Sequence, residues 1–336
     1  MRERRGWVLV LALALGASWP GAAAAAEPVR IRVGWVVATT QITPLLLEKK
    51  DLLRHHGQSY IFEPVHFEGS TPQIPALAAR ELEVAALAYS SFALTIQNAK
   101  MDIRLIADMF QDGVPGYYST NYVVRADAPI RTVADLRGKV LATNAIGGAV
   151  DVAARAMLRR HGLEDKRDAT IVEARFPAME AMVREGKVDA AGLVQPFYHD
   201  AASRGGVRTL FTQRDAVGIS DMIFWAARTD FLAQHRAAVT DFLEDTIRWL
   251  RWYMDPRNRE EAVGITARFI KKKPEDLRPW LLTSQDVYRD PNAVPNVEAL
   301  QRNVDLLVEL GFIKQRLEVR QHADLSLIEA ARDRNK

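Results

Sequence analysis

Short apolar runs alternate with amphipathic stretches over most of the chain, and this pattern predicts strands that alternate with helices. In the run 29–37 (VRIRVGWVV) apolar residues occupy every second position up to Trp35, which is typical of a half-buried strand. Further strands are predicted at 60–67, 84–88 and 103–109. The segments between them have helical periodicity. This rhythm predicts a mostly parallel sheet with helices on both faces.

The same rhythm repeats in a second unit that begins near Ser119. Its strands are predicted at 122–125, 139–143, 170–174, 188–194 and 207–211. From Asp230 onward helices are predicted at 231–254, 259–270, 275–282, 296–310 and 324–332. Because these helices have no strands of their own to cover, we expect them to pack on the first unit, with a returning strand at 222–227. We therefore predict two lobes: residues 27–117 plus 222–336 form lobe I, and residues 118–221 form lobe II.

Residues 1–26 have the three-part pattern of a secretory signal peptide. Three Arg residues precede the uncharged apolar run 7–19, and small residues lead to Ala26. A membrane anchor is the alternative, but the run is shorter than the roughly 20 apolar residues of a membrane-spanning helix. The sequence contains no Cys, so lipid attachment to Cys is excluded. We predict cleavage after Ala26 and a mature, periplasmic chain that begins at Glu27.

Composition excludes several function classes. Without Cys, the chain has no disulfides, thiolate metal sites or Cys nucleophiles. Removing the three Arg and one Glu of residues 1–26 lowers the formal net charge from +3 to +1, which gives no support for nucleic-acid binding. No G-x-S-x-G or H-E-x-x-H motif is present, and we interpret the adjacent His55 and His56 as a solvated pair. We therefore expect no metal, no cofactor and no catalytic residue.

Polar or Gly-rich turns follow several predicted strands. In open α/β sheets the binding crevice lies outside the carboxyl ends of the strands, where the N–H groups of helix N-termini favour anionic ligands. The turns are Thr39-Thr40-Gln41, Tyr89-Ser90-Ser91, Gly147-Gly148 and Gln195 to Tyr198. Ser90 and Ser91 have an alternative role as helix caps, and Gly147-Gly148 has one as a tight turn.

Several segments, in order, resemble the solute-binding proteins of ABC importers in the nitrate, sulfonate and taurine group, which includes binders of thiamine-pathway pyrimidines. They are IRVGW (31–35), GSTPQIPALAARELEVAALAYSS (69–91), APIRTVADLRGKVLATNAIGG (128–148), MEAMVREGKVDAAGLVQPFY (179–198) and VDLLVELGFI (304–313). The most specific are the block from TVADLRGK to GG and the block GKVDA. The resemblance covers nearly all of the predicted mature chain.

This resemblance implies a two-lobed periplasmic binding protein of type II, an α/β fold in which both lobes contact a ligand held between them. By position, the implied contacts are Trp35, Thr39, Thr40, Gln41, Ser90 and Ser91 in lobe I, and Gly147, Gly148, Gln195 and Tyr198 in lobe II. The implied function is capture of a small organic anion and its delivery to the transmembrane permease of an ABC importer. We expect the mature protein to be a monomer.

Two departures from the sulfonate binders bear on the ligand. This chain has Gly147-Gly148-Ala149-Val150-Asp151 where those proteins place several Ser residues and a His, and it has Val194-Gln195-Pro196 where they often have Trp-Asp-Pro. Fewer hydroxyl donors and an added carboxylate disfavour a tetrahedral sulfonate. Asp151 either points into the cleft, where it would repel an anion, or serves as a partner of the helix dipole. Tyr117 and Tyr118, at the predicted crossover, are expected to flank a planar ligand; alternatively, one of them packs against the hinge.

Three other kinds of protein use the same fold. A pyrimidine synthase resembling this family needs Cys, which this chain lacks, and a dehydratase of the menaquinone pathway is cytoplasmic and would not carry residues 1–26. A sensor that reports its ligand to a membrane receptor uses the same clamp. The sequence does not separate sensing from transport.

Overall fold

The computed structural model describes residues 27–336, so the predicted signal peptide lies outside the described residues. Within this part of the chain, ten strands form two five-stranded sheets. The first sheet contains β1 (Val29–Trp35), β2 (Tyr60–His66), β3 (Val84–Leu87), β4 (Ile103–Asp112) and β10 (Ser220–Arg228). The second contains β5 (Asn121–Arg125), β6 (Val140–Thr143), β7 (Thr170–Glu173), β8 (Ala190–Leu193) and β9 (Val207–Thr212).

Each sheet is mostly parallel, as the sequence predicted, and has one strand in the opposite direction. The first has the order β2-β1-β3-β10-β4, and β10 runs antiparallel to both of its neighbours. The second has the order β7-β6-β8-β5-β9, and β5 runs antiparallel to both neighbours. The reversed strands are those by which the chain enters the second sheet and returns to the first.

Helices cover both sheets. They are α1 (Gln73–Ala78), α2 (Tyr89–Gln97), α3 (Ala149–Arg160), α4 (Phe176–Arg184), α5 (Phe197–Ser203), α6 (Gln213–Val217), α7 (Thr229–Met254), α8 (Arg259–Phe269), α9 (Pro274–Leu277), α10 (Val297–Glu309) and α11 (Leu325–Asp333). Short 3-10 helices occupy Thr43–Leu52, Val133–Leu136, Pro256–Asn258 and Val319–His322. Among residues 27–336, no helix combines the length and apolar character that crossing a membrane requires.

The late helices pack on the first sheet. Helix α7 contacts β2, β4 and β10, α10 contacts β10, and α11 contacts α7 and β4. The ring of Phe242 in α7 stacks on Trp225 of β10 and on Phe62 of β2, with ring centroids 5.0 and 5.5 Å apart. We call the first sheet with these helices lobe I and the second sheet with its helices lobe II.

The chain crosses between the sheets twice. The first connection runs from Asp112 to Asn121 and contains the predicted boundary at 117/118. The second runs from Thr212 to Ser220, so the predicted boundary at 221/222 falls inside β10. The residue limits of the two lobes stay a prediction.

Asp112 fixes the first crossing. This buried carboxylate accepts hydrogen bonds from Ser119 Oγ at 2.5 Å and from the N–H and hydroxyl of Thr120 at 2.8 Å. Burial raises the pKa of Asp112, while these hydrogen bonds oppose the shift. These hydrogen bonds hold Ser119 and Thr120, in the first connection between the sheets, against the end of β4.

Candidate ligand-binding cleft

A small cavity, the inner cleft, lies between the two sheets. Its volume is about 40 Å³, enough for roughly three waters or a small acidic group, since one water needs about 10–15 Å³. Its walls are Val36, Val37, Thr40, Gln41, Ser70, Ala88, Phe110, Met222 and Ile223 from lobe I, and Asn144, Gly148, Ala149, Val150, Phe176 and Val194 from lobe II.

Most of these positions follow the carboxyl ends of strands, the location expected for a crevice in an α/β sheet. Thr40 and Gln41 follow β1, and Ala88 follows β3. Asn144 and Gly148 follow β6. The structure therefore brings Thr40, Gln41 and Gly148, three of the predicted contacts, to one cavity.

Two helix N-termini from opposite lobes reach this cavity. Ala88 is the N-cap of α2 and Gly148 is the N-cap of α3, and both line the inner cleft. A helix N-terminus carries unpaired N–H groups and partial positive charge. Among the described residues, the lining of the inner cleft contains no charged side chain, and the partial positive charge of the two helix ends favours an anion.

The adjacent serines of α2 differ in role. Ser91 Oγ accepts a hydrogen bond of 2.8 Å from Ala88 N and donates one of 3.1 Å to Ala88 O, so Ser91 caps the helix. Ser90 Oγ is buried and has no hydrogen-bond partner among residues 27–336, yet Ser90 does not line the inner cleft. Of the two serines, Ser91 is therefore the one that has the helix-capping role.

Gly147 lies in a turn in which its N–H already has a hydrogen-bond partner within the protein. Its φ of +78° is a left-handed conformation that favours glycine, and its N–H donates to Asp151 Oδ2 at 2.8 Å. Asp151 also accepts from Arg155, which in turn bonds Asp165 at 2.6 Å. Burial raises the pKa of Asp151, opposed by the bonds from Arg155 and Gly147. Asp151 thus acts as the partner of the α3 N-terminus.

Thr39 and Gln195 connect the two lobes. Thr39 Oγ1 donates to the carbonyl of Gln195 at 3.2 Å, and Gln195 Nε2 donates to the carbonyl of Gln285 at 3.0 Å. Gln195 Oε1 accepts from the N–H of His199. These side chains already have protein partners at the position where the sequence predicted ligand contacts.

The three predicted tyrosines lie outside the inner cleft. Tyr117 is 41% exposed and packs edge-to-face on Tyr288. The buried Tyr118 hydroxyl donates to the carbonyl of Leu193 at 2.6 Å, and the Tyr198 hydroxyl pairs with Thr209 Oγ1. The structure does not bring them to the predicted ligand position, because hydrogen bonds and ring packing direct them elsewhere.

A larger space, the outer chamber, lies beside the inner cleft. Its volume is about 320 Å³, and Val36, Val37 and Phe176 line both spaces. Its aromatic walls are Trp35 and Phe269 from lobe I and Phe176 and Phe197 from lobe II. Trp35, a predicted contact, therefore lies in this chamber.

Sequence reasoning missed part of this aromatic wall. Phe197 lies inside the predicted segment Gln195 to Tyr198, and Phe176 begins α4 just after β7, so strand-end position was an available signal for both. Phe269 ends α8, far away in sequence, and no local pattern marks it.

Ion pairs and close contacts join the lobes around these spaces. Arg175 pairs with Glu68 at 2.7 Å, and Lys272 pairs with Asp200. Asn144 Nδ2 donates to the carbonyl of Glu68 at 3.1 Å. A Cβ added to Gly69 would lie 2.6 Å from the Cβ of Ala145. The structure is therefore a closed state of the two lobes.

One group of side chains in the described part of the chain has metal-ligand character, and it lies outside both spaces. Ligand atoms of His55, Asp241 and Glu244 lie within 4.8 Å of one another. Arg334 pairs with Asp241 at 2.8 Å, and Arg248 pairs with Glu244 at 2.5 Å. Because arginines already neutralise both carboxylates, this cluster is an ion-pair network.

The sequence matches the model of the NMT1-like family over residues 24–267. This chain belongs to the NMT1-like family. The chain is also similar to a putative aliphatic sulfonates-binding protein of Escherichia coli (strain K12), with 25% identity over 208 residues. That match covers 59% of this chain and 60% of the relative.

Solved structures confirm the type II periplasmic binding protein fold for this NMT1-like chain. The alkanesulfonate-binding protein SsuA from Xanthomonas axonopodis pv. citri, bound to MOPS, superposes with a TM-score of 0.71 at 20% identity, covering 90% of this chain and all of that one. The nitrate-binding protein NrtA from Synechocystis PCC 6803 gives 0.72 at 15% identity, covering 92% and 89%. The desulfurization enzyme DSZB gives 0.64 at 16% identity, covering 92% and 100%, so the fold also hosts catalysis.

Proposed function

We propose that this protein is the solute-binding component of an ABC importer, which captures a small organic anion between its lobes and delivers it to a transmembrane permease. The observation that carries this proposal is the meeting of two helix N-termini, at Ala88 and Gly148, from opposite lobes at one uncharged cavity. The similarity to sulfonate- and nitrate-binding proteins supports the same class of ligand.

Capture works through closure of the lobes. An anion in the inner cleft contacts α2 of lobe I and α3 of lobe II at once, which is possible only when the lobes are together. A ligand shifts such an equilibrium by its difference in affinity for the two states. The contacts between Thr39 and Gln195 and between Arg175 and Glu68 then stabilise the state that the permease receives.

Binding without catalysis is part of this proposal. The inner cleft is lined by apolar groups, two hydroxyls and two amides, and includes no carboxylate, imidazole or amine for proton transfer. The competing function is an enzyme of the same fold. Recovery of each ligand unchanged after long incubation, checked by chromatography, is the outcome we expect; a converted product would support the enzyme.

We also place the mature protein in the periplasm, as a monomer without residues 1–26. Mass spectrometry of the secreted product should give an N-terminus at or near Glu27. A membrane-bound product that retains Met1 would contradict this part of the proposal.

Calorimetry with charge-altered variants tests the anion site. Ser70 is buried and lines the inner cleft, so Ser70→Asp places a carboxylate beside the ligand. Two like charges about 4 Å apart repel by roughly 4 kcal/mol at an effective dielectric of 20, and we expect anion affinity to fall at least 100-fold.

The matched control is Ser70→Asn, which introduces a side chain of nearly the same size as that of Ser70→Asp but without its charge. We expect Ser70→Asn to retain affinity within about tenfold of the wild type, since it adds bulk without repulsion. An equal loss of anion affinity in Ser70→Asp and Ser70→Asn would show that the size of the side chain, rather than its charge, matters at this position. That result would contradict the anion site.

A further inference from the structure

The inner cleft and the outer chamber are adjacent spaces that share three lining residues, Val36, Val37 and Phe176, and they differ in size and chemistry. The inner cleft has a volume of about 40 Å³ and polar groups at two helix ends, whereas the outer chamber has about 320 Å³. Sites for small organic molecules typically have volumes from about 300 Å³ upward and mainly apolar walls. The inner cleft alone therefore suits an inorganic anion or a single acidic group, and the two spaces together suit a larger molecule.

Aromatic rings from both lobes line the outer chamber. Phe176 and Phe197 stack with their centroids 5.8 Å apart and their planes at 13°. On the facing lobe, Trp35 and Phe269 meet edge-to-face at 5.9 Å. Because each lobe supplies one pair, the chamber takes shape only when the lobes close.

The cations at this chamber are already paired. Arg175 lies 2.7 Å from Glu68, and Lys272 pairs with Asp200. Each pair joins one lobe to the other, so its charges are used in closure. The chamber therefore offers apolar surface and no unbalanced positive charge for a second acidic group.

From these observations we propose that the ligand is an aryl- or bulky alkyl-substituted acid. Its single acidic group lies in the inner cleft, and its apolar tail fills the outer chamber between Trp35, Phe176 and Phe197. This inference rests on the proposed function and names the class of ligand. It replaces the sequence-based expectation that Tyr117 or Tyr118 lies against a planar ligand.

Calorimetry with matched pairs of probes tests whether an apolar tail on the ligand increases its affinity. Methanesulfonate and 2-naphthalenesulfonate share one acidic group, and acetate and 2-naphthoate share another. Buried apolar surface contributes roughly 25 cal/mol per Å², so we expect each naphthyl probe to bind at least about tenfold more tightly than its methyl partner.

Substitution of the aromatic residues tests whether the apolar tail of the ligand binds in the outer chamber. Phe197→Ala and Phe269→Ala remove one ring from each lobe, and each should weaken binding of 2-naphthalenesulfonate about tenfold while changing methanesulfonate by less than about twofold. Phe197→Leu keeps an apolar side chain at this position, so it should weaken binding of 2-naphthalenesulfonate less than Phe197→Ala does. The control is Tyr117→Ala, which removes an aromatic ring outside both spaces and should leave both affinities unchanged. Circular dichroism melting of each variant separates unfolding from loss of contact.

The outcomes distinguish this inference from the proposed function. Equal affinity for methyl and naphthyl probes, or loss of naphthyl binding in Tyr117→Ala alone, overturns the tail site and leaves anion capture in place. Failure of all four probes and of nitrate to bind the wild type overturns both.

Discussion

The hydroxyl of Thr39 donates a hydrogen bond across the cleft to the main-chain carbonyl of Gln195, 3.2 Å away. Thr39 follows β1 in lobe I, and Gln195 follows β8 in lobe II. Two positions that the sequence marks as ligand contacts are thus in contact with each other. Because this hydrogen bond joins the two lobes, it contributes to affinity through the closure equilibrium.

Replacing Thr39 by Val should remove this bond while keeping the shape of the side chain. A net hydrogen bond is worth about 0.5–1.5 kcal/mol, so we expect ligand affinity to fall roughly two- to twelvefold. Calorimetry with the tightest-binding probe measures this. Unchanged affinity would show that the Thr39–Gln195 bond does not stabilise the liganded state.

Gly69 sets how closely the lobes approach. Gly69→Ala adds a Cβ that would lie 2.6 Å from Ala145 Cβ in the closed state, so the lobes must separate to accommodate it. We expect affinity to fall on the order of tenfold, as for overpacking costs of about 1–3 kcal/mol. The unliganded protein should keep its melting temperature, because the open state has room.

The matched control for this prediction is Gly264→Ala in α8, where the nearest atom to a new Cβ is a flexible Arg268 nitrogen at 3.6 Å. Its affinity should equal that of the wild type. Small-angle scattering should show Gly69→Ala more extended than Gly264→Ala at saturating ligand. Identical compact curves would mean that the contact relaxes without opening the lobes.

Separate substitution of the two serines of α2 distinguishes capping from binding. Ser91→Ala removes a hydroxyl bonded to Ala88 N and O, and loss of a cap costs about 0.5–2 kcal/mol of unfolding free energy. Ser90→Ala removes a hydroxyl that has no hydrogen-bond partner in the described part of the chain, and it should not lower stability. Chemical denaturation measures both. Equal stability of Ser91→Ala and the wild type would contradict the capping role.

A buried pair of carboxyl groups predicts a pH dependence of stability. Asp108 of β4 and Asp221 of β10 lie on neighbouring antiparallel strands and are buried. Burial raises the pKa of Asp221 to about 7, and burial with the nearby Asp221 and Asp290 raises the pKa of Asp108 well above its usual value. The folded protein therefore keeps protons here that the unfolded chain releases above about pH 4.

Because the folded state binds more protons, the free energy of unfolding should fall as pH rises from about 4 through about 7. Asp108→Asn keeps the shape of the side chain and removes one charge of the pair. This variant should therefore lose less stability over that range and be more stable than the wild type at pH 8. Parallel pH profiles for the two proteins would contradict the binding of a proton by this buried pair.

The sequence predicted the fold better than the side chains of the site. Period-two runs such as 29–37 and the helical segments after 230 are local signals, and they placed both sheets and the late helices. The strand-end rule placed Thr40, Gln41 and Gly148 at the cleft. The predicted helix at 275–282 is shorter in the structure, where α9 ends at Leu277.

The remaining differences between the expected and the observed side-chain positions come from information that is not local. Strand position does not show that Gly147 N–H is taken by Asp151 or that the Tyr118 hydroxyl turns to Leu193. Nor does it show that Phe269 approaches Phe176 and Phe197 around one chamber, because that meeting requires the late helices to return and the lobes to close.

A crystal structure of the mature protein grown with 2-naphthalenesulfonate tests the central claim most directly. The claim predicts the sulfonate in the inner cleft, within hydrogen-bond distance of main-chain N–H groups at Ala149 or Val150 of α3, with the lobes closed as described. A sulfonate bound to Arg175 or Lys272 at the mouth, with the inner cleft empty of ligand, would contradict an anion site built from the two helix N-termini.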